Sequence, residues 1–167
     1  MAQPNNAQRP LALTSPKQLQ GSLFEQQACQ FLQQQGLVLI AQNWQQPKIG
    51  ELDLVMLETG QAWSTLVFVE VRQRLRSSFG DAAISVTKAK QRKIIKTAKY
   101  FLQQHPEYAH FECRFDVIAY NIERSTNNNS IVNNNSIVNN DKNNNVEQIV
   151  ATFQPEWLLG AFMATAW

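Results

Sequence analysis

The stretch from Gly50 to Arg74 limits the fold of this 167-residue chain more than any other part. Two apolar runs rich in β-branched residues flank Glu58-Thr59-Gly60, the pattern of an antiparallel hairpin. Side chains alternate along a strand, so Glu51 and Asp53 are expected on one face of the first run, with Leu52, Leu54 and Met56 on the other. In the second run Glu70 and Arg72 share a face. A carboxylate on so apolar a strand is costly unless it is paired, hydrogen-bonded or bound to a metal. Asp53, Glu70 and Arg72 are therefore the positions that need a chemical reason.

The flanking sequence is read around this hairpin. Residues 1–17, rich in Gln, Asn and Pro, are expected to be a disordered tail. From Gln18 the pattern turns helical, with Phe24, Ala28, Phe31 and Leu32 on one stripe, Glu25 beside it, and Gly36 as the stop. Leu37 to Trp44 predicts a strand. A second amphipathic helix runs from about Thr87 to Gln104, ahead of Pro106, burying Ile94, Ile95, Ala98, Phe101 and Leu102. Phe111 to Tyr120 is the next strand. A strand, a helix and a strand in that order predict a right-handed crossover and a parallel pair.

The resulting fold class is α/β: a mixed sheet flanked by helices, in the order helix, three antiparallel strands, crossover helix, strand. One domain over residues 18–164 is expected, interrupted at 124–145 by an Asn-rich flexible loop. That loop contains Asn-Asn-Asn-Ser-Ile-Val twice in tandem, too short a repeat for a solenoid. Gln148 to Phe153 suggests a last edge strand, and Pro155 to Phe162 a short closing helix.

Charge is local rather than global. The net charge is +2, yet nine of the fifteen Lys and Arg lie between Arg72 and Lys99, with Asp81 the one acid among them. Polyanion contact is thus expected from that stretch, through Arg74, Arg76, Lys88, Lys90, Arg92 and Lys96. The plain alternative is a solvated helix face. Cys29 and Cys113 are isolated and the two histidines flank a proline-containing turn, which argues against a zinc site or a disulfide scaffold. No apolar run has the length of a signal region or a membrane span, so a cytoplasmic location and no membrane partner are expected.

Two carboxylates from adjacent strands, with a backbone carbonyl such as that of Val71, make an all-oxygen site suited to Mg²⁺ or Mn²⁺. Such an ion can polarise a phosphodiester and activate water. The same spacing also suits a structural ion pair with Arg72 or Arg74. Asp116, beside Arg114, reads as a structural strand-end partner.

Gly50-Glu51-Leu52-Asp53-Leu54, Val67 to Arg74, Phe79-Gly80, Lys90 and Arg114-Phe115-Asp116-Val117 resemble, in order and spacing, the YraN-like family of small bacterial proteins. That family is similar to the PD-(D/E)XK endonuclease superfamily, with a fold like Holliday-junction resolvases. The resemblance covers about Gly21 to Tyr120. It implies a restriction-endonuclease-like sheet, with Asp53 and Glu70 as metal ligands and Glu25 as the helical acid that joins them. Arg72 takes the place of the superfamily's lysine. Arginine stays charged, so its catalytic part, with Asp53 and Glu70, would be to stabilise developing negative charge rather than to accept a proton. The implied activity is Mg²⁺- or Mn²⁺-dependent hydrolysis of DNA phosphodiesters, in branched or damaged DNA. The alternative is a nucleic-acid-binding module of the same fold without turnover. DNA is the first expected partner, RNA the second, and a homodimer follows by analogy of fold.

Overall fold

The computed structural model describes residues 16–75, 86–124, 130–133, 136–139 and 155–164. The elements run α1 (Pro16–Gln34), β1 (Val38–Gln46), β2 (Gly50–Thr59), β3 (Ser64–Leu75), α2 (Lys88–Gln104), a 3₁₀ turn (Pro106–Tyr108), β4 (Glu112–Arg124), β5 (Ser130–Asn133), β6 (Ser136–Asn139) and β7 (Glu156–Phe162). Strands β1, β2 and β3 pair antiparallel and β3 pairs parallel with β4. β7 adds to β4 antiparallel, completing a five-stranded mixed sheet of the restriction-endonuclease-like kind. α1 begins at Pro16, inside the stretch expected to be tail. Residues 1–15 and 148–153 lie outside the described residues.

Each face of the sheet carries one helix. Phe24, Ala28, Cys29 and Leu32 of α1 pack on Leu54, Met56, Val67, Val69, Ile118 and Tyr120. On the opposite face Ile94, Ala98 and Phe101 of α2 pack on Leu52, Val55, Leu66, Phe68, Phe115 and Val117. Gly36, at φ +92°, ends α1 in the left-handed conformation glycine tolerates. Thr87 caps α2, its hydroxyl accepting from the Lys90 N–H.

Strict alternation fails on β2. Leu54 and Met56 face α1, but Leu52, expected beside them, lies in the α2 cluster with Val55. The cause is a fork in the sheet. The β2–β3 ladder runs from Thr59↔Ser64 only as far as Leu54↔Val69, whereas β1 stays paired with β2 to Gly50. Beyond Leu54 the strand is free to turn, because β3 no longer sets its pleat.

Two further expectations are corrected. Pro155 to Phe162 does not close the chain as a helix: Glu156–Phe162 is a strand, with Trp157 opposite Ile118 and Leu158 opposite Val117. The edge of β4 offers this segment a row of backbone partners that an isolated helix turn would lack. Within the Asn-rich insertion both repeat copies form short strands, β5 and β6, which pair with each other, and β5 also pairs with the end of β4.

At Gly50 α2 lies close against the sheet. A Cβ there would stand 2.5 Å from Thr97 Oγ1, a buried hydroxyl already donating to the Lys93 carbonyl, and 3.1 Å from Lys93 Cε. Gly50→Ala is expected to lower stability by about 1–3 kcal/mol through overpacking, as urea unfolding would register. A loss below about 0.5 kcal/mol, the level of an unremarkable surface change, would mean that α2 shifts freely over β2.

Candidate functional site

The fork between β2 and β3 is where the expected acids meet. With β2 turned away, the Val71 N–H lacks a strand partner on that side and donates instead to Asp53 Oδ2 at 2.8 Å. Asp53 thus replaces a missing ladder bond. Glu70, only 4% exposed, lies on the α2 face and receives two cations on one oxygen: Arg72 Nη2 at 3.1 Å and Lys90 Nζ at 3.0 Å, both to Oε1. Among the described residues Asp53 Oδ1 and Glu70 Oε2 carry no hydrogen bond or ion pair. Half of each carboxylate is therefore uncommitted among the described residues.

The titration of these acids reflects their surroundings. Burial first, and then the nearby Glu70 carboxylate, push the Asp53 carboxyl up to about 7, against the Val71 hydrogen bond and the Lys90 charge, which lower it. Glu25, on α1, is also raised, first by burial and then by Glu51 and Glu70, while a hydrogen bond from the Asn43 side chain opposes the shift. Glu51 itself is exposed. Glu25 therefore senses the acid pair from the other layer.

Among the described residues no group of three or more His, Cys, Asp or Glu side chains is close enough to hold a metal ion. The structure brings Asp53 and Glu70 together and leaves Glu25 at longer range. The donor set that fits a divalent cation is two carboxylates with a free oxygen each, all hard oxygen, which suits Mg²⁺ or Mn²⁺ with several waters retained.

Of the basic residues, Lys88, Arg92 and Lys96 are exposed at four-residue spacing on α2, with Lys93 exposed beside them. Lys90 does not share their line. It precedes Ile94 by four and Ala98 by eight, which places it on the flank of the buried stripe, and that phase is the sequence signal for its reach toward Glu70. Arg72 leaves its Nε buried without a partner, an N–H donor beside the acids with no acceptor among the described residues. Arg74 lies at the end of β3, and Arg76 lies outside the described residues. Asn43, which the sequence reading did not single out, bears on the Glu25 carboxyl; β1 also carries Gln42, Gln45 and Gln46, so no local signal sets it apart.

On the α1 face, Asp116 is fully buried. It accepts from Arg114 Nε (2.9 Å) and Nη2 (3.0 Å), Trp157 Nε1 (3.1 Å) and the Gly160 N–H (2.9 Å), while Arg114 Nη1 bonds Glu58 at 2.6 Å. Gly160, at φ +57°, sits where β7 bulges against β4. The structural role expected for Asp116 is what is found: it fastens β7 to the sheet.

Comparison with known proteins then places the chain. Residues 24–120 match the family model described as "Uncharacterised protein family UPF0102", a span that contains Glu25, Asn43, Asp53, Glu70, Arg72 and Lys90. The chain belongs to this family. It is 65% identical over 159 residues to a UPF0102 protein of Psychrobacter cryohalolentis, covering 95% of this chain and 88% of that one. A UPF0102 protein of Psychrobacter sp. strain PRwf-1 is 52% identical over 158 residues, with 95% and 97% covered. A UPF0102 protein of Pseudomonas putida strain GB-1 is 48% identical over 99 residues, 59% of this chain and 76% of its own length. The expected membership in the YraN-like group of uncharacterised proteins stands. No helix among the described residues is long and apolar enough to cross a membrane.

Proposed function

We propose that this UPF0102 protein is a divalent-metal-dependent nuclease that hydrolyses DNA phosphodiesters at the β2–β3 fork. The observation that carries this reading is the meeting of Asp53 and Glu70 with the cations Arg72 and Lys90 at one opening of the sheet. Asp53 and Glu70 would hold Mg²⁺ or Mn²⁺ through their free oxygens, with Glu25 drawn in from α1. The ion supplies Lewis acidity toward the phosphodiester and its attacking water. The chain supplies the rest. Arg72, whose Nε awaits an acceptor, donates to a non-bridging phosphate oxygen and stabilises the charge that builds there. Lys90 neutralises Glu70 when no substrate is present and offers its charge to the phosphate when one is. Lys88, Arg92, Lys93 and Lys96 line up on α2 to follow the backbone.

The test is cleavage of linear, branched and nicked DNA, and of RNA, with Mg²⁺ or Mn²⁺. Cleavage should fall by about 10³-fold or more in Asp53→Ala and Glu70→Ala, as losing the metal-binding chemistry implies. No cleavage of any form with either metal would overturn the catalytic reading.

The ion pairs that Arg72 and Lys90 make with Glu70, and the lack of a three-ligand cluster among the described residues, favour a second reading: a DNA-binding module without turnover. Both readings require salt-dependent binding. Contact with about four phosphates gives a log–log slope of roughly −3.6, and Arg92→Ala should reduce it by about 0.9. A flat salt dependence would count against both.

A further inference from the structure

Glu70 holds two cations on a single oxygen. Arg72 Nη2 lies 3.1 Å and Lys90 Nζ 3.0 Å from Oε1. They come from different elements: Arg72 follows two residues along β3, whereas Lys90 stands in the first turn of α2, its N–H donating to the Thr87 hydroxyl. Glu70 is buried, but both cationic side chains are about one-third exposed and can be reached from solvent. One cation is enough to balance a buried carboxylate. The second leaves the cluster of Glu70, Arg72 and Lys90 with a net positive charge.

That surplus acts on whatever enters. Glu70 Oε2 is uncommitted among the described residues, so the two cations do not fill the place of a metal ion; they oppose it by charge. The Lys90 charge also acts on Asp53, the other acid of the site. A divalent ion arriving alone therefore meets two cations beside its carboxylate ligands. A phosphate arriving alone meets cations that Glu70 already partly neutralises. With both present, Arg72 and Lys90 turn to the phosphate, and Glu70 keeps its charge for the ion.

We propose that Arg72 and Lys90 are a charge latch on Glu70 that couples divalent-cation binding to phosphodiester binding, each ligand raising the affinity for the other. The latch rests on the metal-dependent reading above and adds the regulation of that site: without nucleic acid the acids load poorly. The coupling is reciprocal, because the same contacts are exchanged whichever ligand comes first.

The experiment measures Mn²⁺ binding to the full chain by calorimetry at pH 8, alone and with a saturating phosphorothioate DNA duplex, which keeps the backbone charge and resists hydrolysis. Glu70→Gln with the same duplex gives the ion taken up by the DNA itself. Wild-type Mn²⁺ affinity should rise about tenfold or more when the duplex is bound, and duplex affinity should rise by the same factor when Mn²⁺ is bound. Lys90→Met, which keeps most of the stem and removes the charge, should bind Mn²⁺ about tenfold more tightly than wild type without DNA, and should gain less from the duplex. Lys48→Met removes an exposed charge from the β1–β2 turn. It should shift the affinity by less than about twofold, since solvent and salt screen that charge. Equal Mn²⁺ affinity in wild type with and without the duplex would overturn the proposal, and this comparison decides even if Lys90→Met fails to fold. A Lys90→Met affinity no higher than wild type, or a gain matched by Lys48→Met, would overturn it too. In each of these cases, loss of Mn²⁺ binding in Asp53→Asn leaves the metal-dependent reading standing. If neither wild type nor Lys90→Met binds Mn²⁺ with or without the duplex, that reading fails and the latch with it.

Discussion

Replacing Asp116 by alanine should cost about 3–5 kcal/mol of stability, the range for breaking one side of a buried ion pair. The carboxylate is fully buried and serves Arg114, Trp157 and the Gly160 backbone together. Its removal leaves the Arg114 guanidinium with Glu58 alone and strands two N–H donors where β7 bulges. At about 2–4 °C per kcal/mol for a chain of this size, the melting temperature should fall by roughly 6–20 °C. Calorimetry or urea unfolding measures this directly. A loss below about 1 kcal/mol, the ceiling typical of an exposed pair, would show that the network contributes no more than a surface salt bridge. Asp116→Asn should also destabilise, because its amide nitrogen would face donors already aimed at the carboxylate.

Asp53→Asn should do the reverse, raising stability while removing the proposed metal site. The Asp53 carboxyl is raised to about 7 by burial and by Glu70, so its charged form is disfavoured in the folded chain relative to the unfolded one. Below the ordinary carboxylate range both states hold the proton and the substitution gains nothing. As pH rises toward 7 the unfolded chain has already ionised while the folded one has not, and wild-type stability falls. Above 7 the penalty is complete. The rise to about 7 sets a ceiling of about 4 kcal/mol. The site opens to solvent, which brings the expected gain at pH 8 to about 1–3 kcal/mol. Asparagine can still accept from the Val71 N–H. Urea unfolding at pH 4 and pH 8 measures the difference, and equal effects at both would refute it. A cation at this site must displace the Asp53 proton, so Mn²⁺ affinity in wild type should rise about tenfold per pH unit between pH 5 and 7 and level off above. This gain from losing a site residue is the usual mark of a position kept for function rather than stability.

Residue spacing alone located much of this. The helical stripe ending at Gly36, the turn after Thr59, the α2 stripe from Ile94 to Leu102 and the strand through Phe115 follow from periods of 3.6 and 2 and from punctuation by Gly and Pro, and each is found. The acids were legible because Asp53 and Glu70 interrupt apolar runs. Period also misled. Leu52 was expected to share a face with Leu54, and the fork puts it on the other. Trp157 and Leu158 were expected in a closing helix, and the free edge of β4 makes them a strand.

What the sequence by itself determined is the class of every main element from α1 to β4, the family, and which charged side chains stand in apolar surroundings. Those are short-range properties: they depend on neighbours within one turn or one pleat. Tertiary structure alone decided that β2 parts from β3 beyond the Leu54–Val69 pair, that Lys90 rather than only Arg72 meets Glu70, and that Asp116 fastens β7. Each joins groups from separate elements, set by ladder register and helix packing. A local period carries no record of either, because the same stripe buries equally well in several registers until the whole sheet selects one.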